Sequence, residues 1–281
     1  MYQFPIGAMI DSFRIPTREA VLAAAKIGAT GLQMYATSGE NAPEQLSGQK
    51  RKDLLSFVKD QGIVFSAVCG DFGKPFIDKK RNVELIERSK RIMDLAVELE
   101  TDVVTTHIGV IPADKTCERY QIMQEAAYEL AQYADSMHAH FAIETGPEIA
   151  VTLKAFLDDL GSTGVAVNMD PANFVMVTKD DPVQAVYTLQ KYIVHTHAKD
   201  GVNLRECDPY EVYAEMDHGN WDKEPAFREM PLGQGDVDFA AYLKALEEVG
   251  YRGFLTIERE VGADPAADIR MAADYLRKMM Q

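Results

Sequence analysis

Residues 140–170 read HFAIETGPEIAVTLKAFLDDLGSTGVAVNMD, and the fold is predicted from this segment outward. Two short β-rich runs, HFAIET at 140–145 and VAVNMD at 165–170, flank a longer segment with a helical pattern. A strand, a helix and a second strand in this order imply a crossover connection between parallel strands. The segment is therefore typical of an α/β protein with a parallel sheet.

The same unit repeats along the chain. Six further strand candidates share this β-rich character: IGAMI (6–10), GLQMY (31–35), FSAVC (65–69), VVTTH (103–107), IVHTH (193–197) and FLTIE (254–258). Helix candidates lie between them: Thr17 can cap one that stops at Gly28, Ser47 precedes one that stops at Gly62, and Asp238 opens one that ends at Gly250. Asp181-Pro182 and Asp264-Pro265 each place a cap residue before a proline suited to the first turn.

Eight such units match the size of a closed barrel, which is typically about 250 residues. The sequence therefore predicts a single (β/α)8 TIM barrel. An open doubly wound sheet is the alternative fold. Its dinucleotide-binding form carries a Gly-rich first turn, whereas the first turn here, IDSFRIPT at 10–17, contains no glycine.

One segment departs from the alternation. Residues 198–237 follow the seventh predicted strand as an irregular stretch, which places them at the active-site end of a barrel. We therefore expect residues 1–281 to form one barrel domain with this long loop over the active site. Within the loop, Gly233 and Gly235 fit either a phosphate-binding turn at a helix start or an ordinary tight turn.

Composition and charge exclude several classes of protein. The chain has 29 Lys and Arg against 44 Asp and Glu, a net charge of −15, which disfavours binding to nucleic acid or anionic lipid. Three widely spaced cysteines indicate no disulfide framework. The N-terminus lacks a signal-peptide pattern, and no run reaches the roughly 18 apolar residues of a membrane-spanning helix. We expect a cytoplasmic protein that binds neither nucleic acid nor membranes; a homo-oligomer stays open.

Ionisable residues stand at the ends of the last five predicted strands. They are His107, Glu144, Asp170, His197 and Glu258. A barrel builds its site from the C-terminal ends of its strands, so these side chains should converge. Three carboxylates and an imidazole suit a divalent cation, which would also relieve the repulsion between the carboxylates. We predict that Glu144, Asp170, His197 and Glu258 bind one ion, with Mn²⁺ preferred and Mg²⁺, Co²⁺ or Zn²⁺ as alternatives.

Other polar residues are candidates for substrate binding. His195 and Lys199 share the inward facing of His197 because side chains alternate along a strand. His195 should lie beneath His197 as a hydrogen-bonded residue. Lys199 should lie higher at the mouth, where it could contact substrate or solvent. His218 and Trp221 lie in the long loop and could close over a substrate or remain on the surface.

Five motifs occur in a fixed order along the chain: IETG (143–146), NMDPANF (168–174), HTHAKD (195–200), PLGQGDVDF (231–239) and TIERE (256–260). With them, nearly the whole chain resembles the sugar phosphate isomerase/epimerase family of xylose-isomerase-like TIM barrels. The resemblance implies that the four predicted ligands hold one metal ion. It also implies that Glu144 and Glu258 move protons on opposite faces of a substrate, and that His107 contacts the substrate or a metal ligand.

The resemblance predicts a divalent-metal-dependent isomerase or epimerase that acts on a keto-sugar or related polyol by proton transfer through an enediolate. If a β-substituent leaves from the same enolate, the protein is instead a lyase or dehydratase, including one that cleaves 3-keto-glycosides. A sugar-binding barrel without catalysis is the third alternative, which the presence of both Glu144 and Glu258 disfavours. In each case the expected partner is a small-molecule sugar.

Overall fold

The computed structural model describes residues 2–213 and 224–281, and ten strands lie within these ranges. They are β1 (Ile6–Met9), β2 (Gly31–Tyr35), β3 (Val64–Cys69), β4 (Val103–Thr106), β5 (His140–Glu144), β6 (Val165–Met169), β7 (Ile193–Ala198), β8 (Asp200–Asn203), β9 (Phe227–Met230) and β10 (Leu255–Ile257). Eight of them close into a parallel barrel in the order β1-β10-β7-β6-β5-β4-β3-β2.

Helices connect the barrel strands on the outside. They are α1 (Thr17–Lys26), α2 (Gln49–Asp60), α3 (Lys79–Glu98), α4 (Glu118–Ser136), α5 (Ala150–Leu160), α6 (Pro171–Asn173), α7 (Pro182–Leu189), α8 (Pro209–Val212), α9 (Phe239–Glu248) and α10 (Pro265–Met279). The predicted TIM barrel is confirmed, and every predicted strand boundary lies within one residue of the observed one. In the part of the chain that the structure describes, no helix is both long and apolar enough to cross a membrane.

Three of the five predicted helix starts are correct. Asp181, Asp238 and Asp264 each precede a helix, and each side chain accepts a hydrogen bond from a backbone N–H two or three residues further on. This capping satisfies N–H groups that have no partner within the helix. These caps fix where α7, α9 and α10 begin, and therefore where the loops at their N-terminal ends stop.

For α1 and α2 the observed cap lies one position away from the predicted residue, Thr17 and Ser47 respectively. The residue that precedes α1 is Pro16, and Thr17 is already helical, with its hydroxyl donating to Glu40 Oε1 at 2.9 Å. The residue that precedes α2 is Gly48, at φ 52° and ψ −119°. A residue with a side chain adopts this left-handed conformation only with strain, so the start of α2 depends on glycine rather than on a capping hydroxyl.

The described parts of the segment 198–237, residues 198–213 and 224–237, contain more regular structure than the sequence indicates. Strands β8 and β9 pair antiparallel, with Asp200 opposite Met230 and Asn203 opposite Phe227. This two-stranded ribbon, β8 with β9, leaves the barrel directly after β7 and returns to it before α9. The glycine-rich stretch after β9 forms a tight turn. Because this stretch has the composition of a loop, the sequence did not indicate the two strands before it.

The main core lies between the barrel and the helices, and α4 and α5 illustrate how it packs. Phe156 of α5 has no exposed surface, and its ring meets Tyr120 of α4 edge to face with ring centroids 5.4 Å apart. On the same helix, Val151 faces outward and is 60% exposed. Burial of one face of each helix in this way holds the barrel strands, and the side chains at their ends, in fixed positions.

We expect Phe156→Ala to lower the free energy of unfolding by about 3–5 kcal/mol, because it removes a buried ring and leaves a cavity. Val151→Ala on the same helix is the control, and it should change this free energy by less than about 0.5 kcal/mol. Chemical denaturation followed by circular dichroism measures both. Equal midpoints for the two variants would contradict the packing described for α5.

Candidate metal centre

The four predicted ligands meet at the C-terminal mouth of the barrel. Glu144 ends β5, Asp170 follows β6, His197 lies in β7 and Glu258 follows β10. One ligand atom from each of the four lies within 4.8 Å of the others, and all four residues are buried. We call these four residues the tetrad. The sequence places them far apart, and the parallel strand ends bring them to one point.

The centre of the tetrad is the Nδ1 atom of His197. It lies 3.2 Å from Glu258 Oε2, 3.4 Å from Asp170 Oδ2 and 3.5 Å from Glu144 Oε1. Neither Nδ1 of His197 nor Oδ2 of Asp170 has a hydrogen-bond partner, although both atoms are buried. Unpaired buried polar atoms are costly. A divalent cation among these atoms would satisfy them, so the residues fit a metal ion.

The field of the tetrad also attracts positive charge. Burial alone would lower the pKa of His197, but the charges of Glu258 and Glu144 outweigh it and raise this pKa well above its usual value. The imidazole therefore takes up a proton when no other cation offsets the carboxylates. A metal ion would replace that proton at Nδ1, because a histidine binds metal as the neutral imidazole.

Gln33 orients the imidazole of His197. His197 Nε2 lies 3.0 Å from Gln33 Oε1, and Gln33 Nε2 donates to Thr105 Oγ1 at 2.8 Å. Asn168 Nδ2 also lies 3.2 Å from this Nε2 atom, which therefore faces one acceptor and one donor. With the hydrogen on Nε2 and donated to Gln33, the neutral imidazole has its free lone pair on Nδ1. The lone pair of Nδ1 then points at the carboxylates. Outer partners of this kind set the tautomer of histidines that bind metals.

Neutral amides hold Glu144. Asn168 Nδ2 donates to Glu144 Oε2 at 3.0 Å, and Asn173 Nδ2 donates to Oε1 at 3.2 Å. Asn168 Oδ1 in turn accepts from His195 Nδ1 at 2.9 Å, and the hydroxyl of Thr256 lies 3.0 Å from His195 Nε2. Burial, and then the charge of His197, hold the pKa of His195 well below its usual value. His195 is thus a neutral, hydrogen-bonded residue beneath the tetrad.

A buried lysine holds Glu258. Lys199 Nζ donates to Glu258 Oε2 at 3.0 Å and to Glu260 Oε2 at 2.6 Å, and Lys199 is only 4% exposed. Burial opposes the charge of Glu258, but the charges of His197 and Lys199 outweigh it and lower the pKa of this carboxyl. Glu258 is therefore an anion whose Oε2 is fixed by an ammonium group.

His107 stands beside Glu144 at the rim of the site. Its Nδ1 lies 2.9 Å from Asp71 Oδ2, and its Nε2 lies 3.7 Å from Glu144 Oε1. Burial disfavours the imidazolium, but the charges of Glu144 and Asp71 outweigh it and raise the pKa of His107 to about 9. The ring of Tyr213 packs against the imidazole at a centroid distance of 5.0 Å.

Six of the eight predicted site residues thus lie together, namely the tetrad, His107 and Lys199. The other two, His218 and Trp221, lie outside the described residues. The sequence analysis missed the residues that orient the tetrad: Gln33, Asn168, Asn173, Glu260 and Tyr213. Strand alternation could have found Gln33, a polar residue in the apolar strand GLQMY, and Asn168, two positions before Asp170. Tyr213 lies in a segment without periodicity.

The glycine turn after β9 binds a carboxylate of the protein itself. Asp200 Oδ2 accepts from the backbone N–H groups of Gly233 and Gly235, both at 2.9 Å. Asp200 Oδ1 accepts from Gly201 at 2.9 Å and from Val237 at 3.2 Å. Of the two interpretations of this turn, the structure supports the structural one, because its donors tie the return of the ribbon to β8.

A closed (β/α)8 barrel with buried ionisable side chains at its C-terminal mouth defines a TIM barrel of the kind that builds its site at the strand ends. More specifically, the chain belongs to the xylose isomerase-like TIM barrel family, which it matches over residues 21–279.

Individual proteins that resemble the chain extend the comparison. The chain is 24% identical over 246 residues to "Putative L-ribulose-5-phosphate 3-epimerase SgbU" of Escherichia coli strain K12. The aligned region covers 84% of this chain and 80% of SgbU. The structure superimposes on the probable 3-DHS dehydratase AsbF of Bacillus anthracis with a TM-score of 0.75, at 17% identity over 98% of this chain and 99% of AsbF. It also superimposes on the IolI protein, solved with a zinc atom, with a TM-score of 0.76, at 16% identity over 99% of this chain and 98% of IolI.

We expect the purified protein to bind about one divalent ion per chain, because the tetrad offers a single set of converging donors. Asp170→Asn should weaken this binding by more than the 10–100-fold that is typical for losing an outer partner of a ligand. Asparagine keeps the Oδ1 atom that accepts from the N–H of Asn173, so the local fold should persist. Asp274→Asn, at a side chain 70% exposed, is the control, and calorimetric titration gives both affinities. Undiminished affinity in Asp170→Asn would rule out the tetrad as the site.

Gln33→Met should lower the affinity for the ion by about 10–100-fold, because His197 then loses the acceptor for Nε2–H, which favours the tautomer with its lone pair on Nδ1. Methionine has a similar volume, so the barrel interior should remain filled. Gln49→Met, on the exposed surface of α2, provides the matched control. The same titration measures the effect, and equal affinities for the two variants would show that Gln33 does not orient His197.

Proposed function

We propose that the protein is a divalent-metal-dependent isomerase or epimerase of a keto-sugar or related polyol. The observation that carries this proposal is the pair Glu144 and Glu258, which face one buried centre from strands separated by β6 and β7 in the barrel. Two carboxylates on different sides of one substrate can remove a proton and return it. The epimerase name of SgbU supports the same class of reaction.

When bound, a divalent ion would polarise the carbonyl and an adjacent hydroxyl of the substrate and make the carbon-bound proton between them more acidic. The three carboxylates and one imidazole favour Mn²⁺, with Mg²⁺, Co²⁺ and Zn²⁺ as alternatives. Glu144 and Glu258 lie next to that position, so one of them accepts the proton and the substrate becomes an enediolate. Delivery of a proton to the opposite face by the other glutamate, which carries one at that stage, gives the epimer, and the first glutamate keeps the proton that it removed. Return of the removed proton to the neighbouring carbon gives the isomer.

His107 and Lys199 are placed to bind oxygen atoms of the substrate. The Nε2 atom of His107 is buried without a hydrogen-bond partner and faces the side of Glu144. Lys199 donates two of its three hydrogens to glutamates and can donate the third to a hydroxyl group. Because these contacts lie on opposite sides of the tetrad, they would hold a polyol across it. His218 and Trp221 stay candidates for substrate contact on sequence grounds alone.

A lyase or dehydratase is the second candidate. Its first step is the same removal of a carbon-bound proton, and loss of a β-substituent replaces return of the proton. The fold shared with AsbF, whose name describes a dehydratase, favours keeping this alternative. It differs from the first proposal in its product rather than in its site.

Glu144→Gln and Glu258→Gln should each retain some metal binding while kcat falls by at least about 10²-fold, because an amide cannot accept the proton. The control is Glu125→Gln, a glutamate 62% exposed on α4. The assay follows exchange of carbon-bound hydrogen with solvent deuterium across a panel of keto-sugars, with the products identified by NMR.

Wild-type turnover in both glutamine variants at saturating metal would contradict the paired-carboxylate mechanism. A dehydrated or cleaved product would assign the lyase alternative. Sugar binding without exchange and without product would assign a non-catalytic sugar-binding barrel.

A further inference from the structure

One of the turns that could bind a phosphate is filled by the protein. TIM barrels commonly bind phosphate with the loops after the seventh and eighth strands, at the N-terminus of a helix. In this chain the glycine turn in the loop after the seventh barrel strand lies between β9 and α9, and three of its backbone N–H groups, from Gly233, Gly235 and Val237, donate to the carboxylate of Asp200. Asp200 is 1% exposed. The donors that this turn would offer to a phosphate are therefore already used by a buried anion.

Lys199, the cation beside the tetrad, is already paired with carboxylates of the protein. Within residues 2–213 and 224–281, Lys199 is the one Lys or Arg side chain that forms an ion pair with a tetrad residue. It lies between Glu258 and Glu260, which together carry more negative charge than it offsets. A phosphate group at Lys199 would have to compete with two carboxylates at hydrogen-bonding distance.

Among the described residues, the net charge around the tetrad disfavours a further anion. The tetrad and Glu260 carry four carboxylates, and a divalent ion together with Lys199 would offset three of these charges. Asp71 and His107 form a separate pair at the rim. A phosphate dianion would add two negative charges to a centre that is still negative, within a chain of net charge −15. A neutral polyol needs only hydrogen bonds, which His107 and Lys199 can supply.

We propose that the substrate is an uncharged, unphosphorylated keto-sugar, ketopolyol or keto-glycoside. This inference rests on the proposed function, because it names the substrate class of that reaction. The proposed substrate differs from the phosphorylated sugar that the name of SgbU describes. The carboxylates around the mouth of the barrel would repel a phosphate ester. The ester is therefore excluded by repulsion, and not only by a lack of favourable contacts.

The test compares each ketose with its own phosphate ester. The metal-loaded protein is assayed with a ketopentose and its 5-phosphate, and with a ketohexose and its 6-phosphate, at constant ionic strength. We expect kcat/KM to be at least about tenfold higher for the free sugars. In parallel, calorimetry measures binding of a pentitol and its 5-phosphate, which lack the carbonyl and cannot react. The free pentitol should bind more tightly.

The outcomes distinguish the two proposals. Higher kcat/KM and tighter binding for the phosphate esters would overturn the uncharged substrate and leave the proposed function intact. Preferred binding of the free polyol, without solvent exchange for any sugar, would overturn the proposed function and support the substrate class. Binding of neither form would overturn both.

Glu260→Gln tests the cause of the preference. The side chain of Glu260 is 57% exposed, so the variant should fold, and Lys199 then keeps one carboxylate partner instead of two. The preference for the free sugar over the ester should fall about threefold or more. The control is again Glu125→Gln, which removes one carboxylate from an exposed pair with Lys79. An unchanged preference in Glu260→Gln would contradict exclusion by these carboxylates.

Discussion

Three carboxylates around one imidazole, closed off from water, are the constraint on which this structure depends. Two like charges 4 Å apart repel by about 4 kcal/mol at an effective dielectric constant of 20. The net free energy of folding of a protein is only about 5–15 kcal/mol, so a few such repulsive pairs would cancel it. The arrangement therefore requires a cation at its centre together with donors around it. Glu144, Asp170 and Glu258 each accept hydrogen bonds from neighbouring groups, which is how the barrel keeps them in place.

The register of neighbouring strands places some of these hydrogen-bond donors directly beside their acceptors. In the strand register of the barrel, Glu144 lies opposite Asn168, and Asn168 lies opposite His195 on the next strand. Thr256 pairs with His197 in the same way across β10 and β7. Asn168 and His195 thus meet hydrogen-bond partners on a neighbouring strand, whereas Gln33 reaches His197 across the barrel. A shift of one residue in any of these strands would turn the inward side chains outward and break the chain of hydrogen bonds.

The barrel and the tetrad could be predicted from the sequence because both depend on local pattern. Strand-and-helix alternation is visible in the residues, and the chemical type of each strand end is visible once the strand is found. The partners of the tetrad depend instead on which atoms meet across the barrel. Gln33 and His197 are 164 positions apart, and nothing local in either segment predicts their contact. The ribbon was missed for a related reason, since β8 and β9 are stabilised by pairing over a long connection.

The surroundings of the two glutamates are more alike than the sequence indicates. Glu144 faces His107, which is paired with Asp71, and Glu258 faces Lys199, which is paired with Glu260. Each candidate proton carrier therefore has a cation beside it and an outer carboxylate behind that cation.

A reaction that needs only one base gains nothing from a second carboxylate with equivalent support. A reaction that removes a proton on one face and delivers one on the other uses a carboxyl group on each side of the substrate. Asp170 differs from both glutamates, because it caps α6 through a backbone N–H and, among the described residues, forms an ion pair with no side chain other than His197. The three carboxylates thus divide into two that have a cation and an outer carboxylate beside them and one that has neither, which is the asymmetry on which the proposed two-carboxylate proton transfer rests.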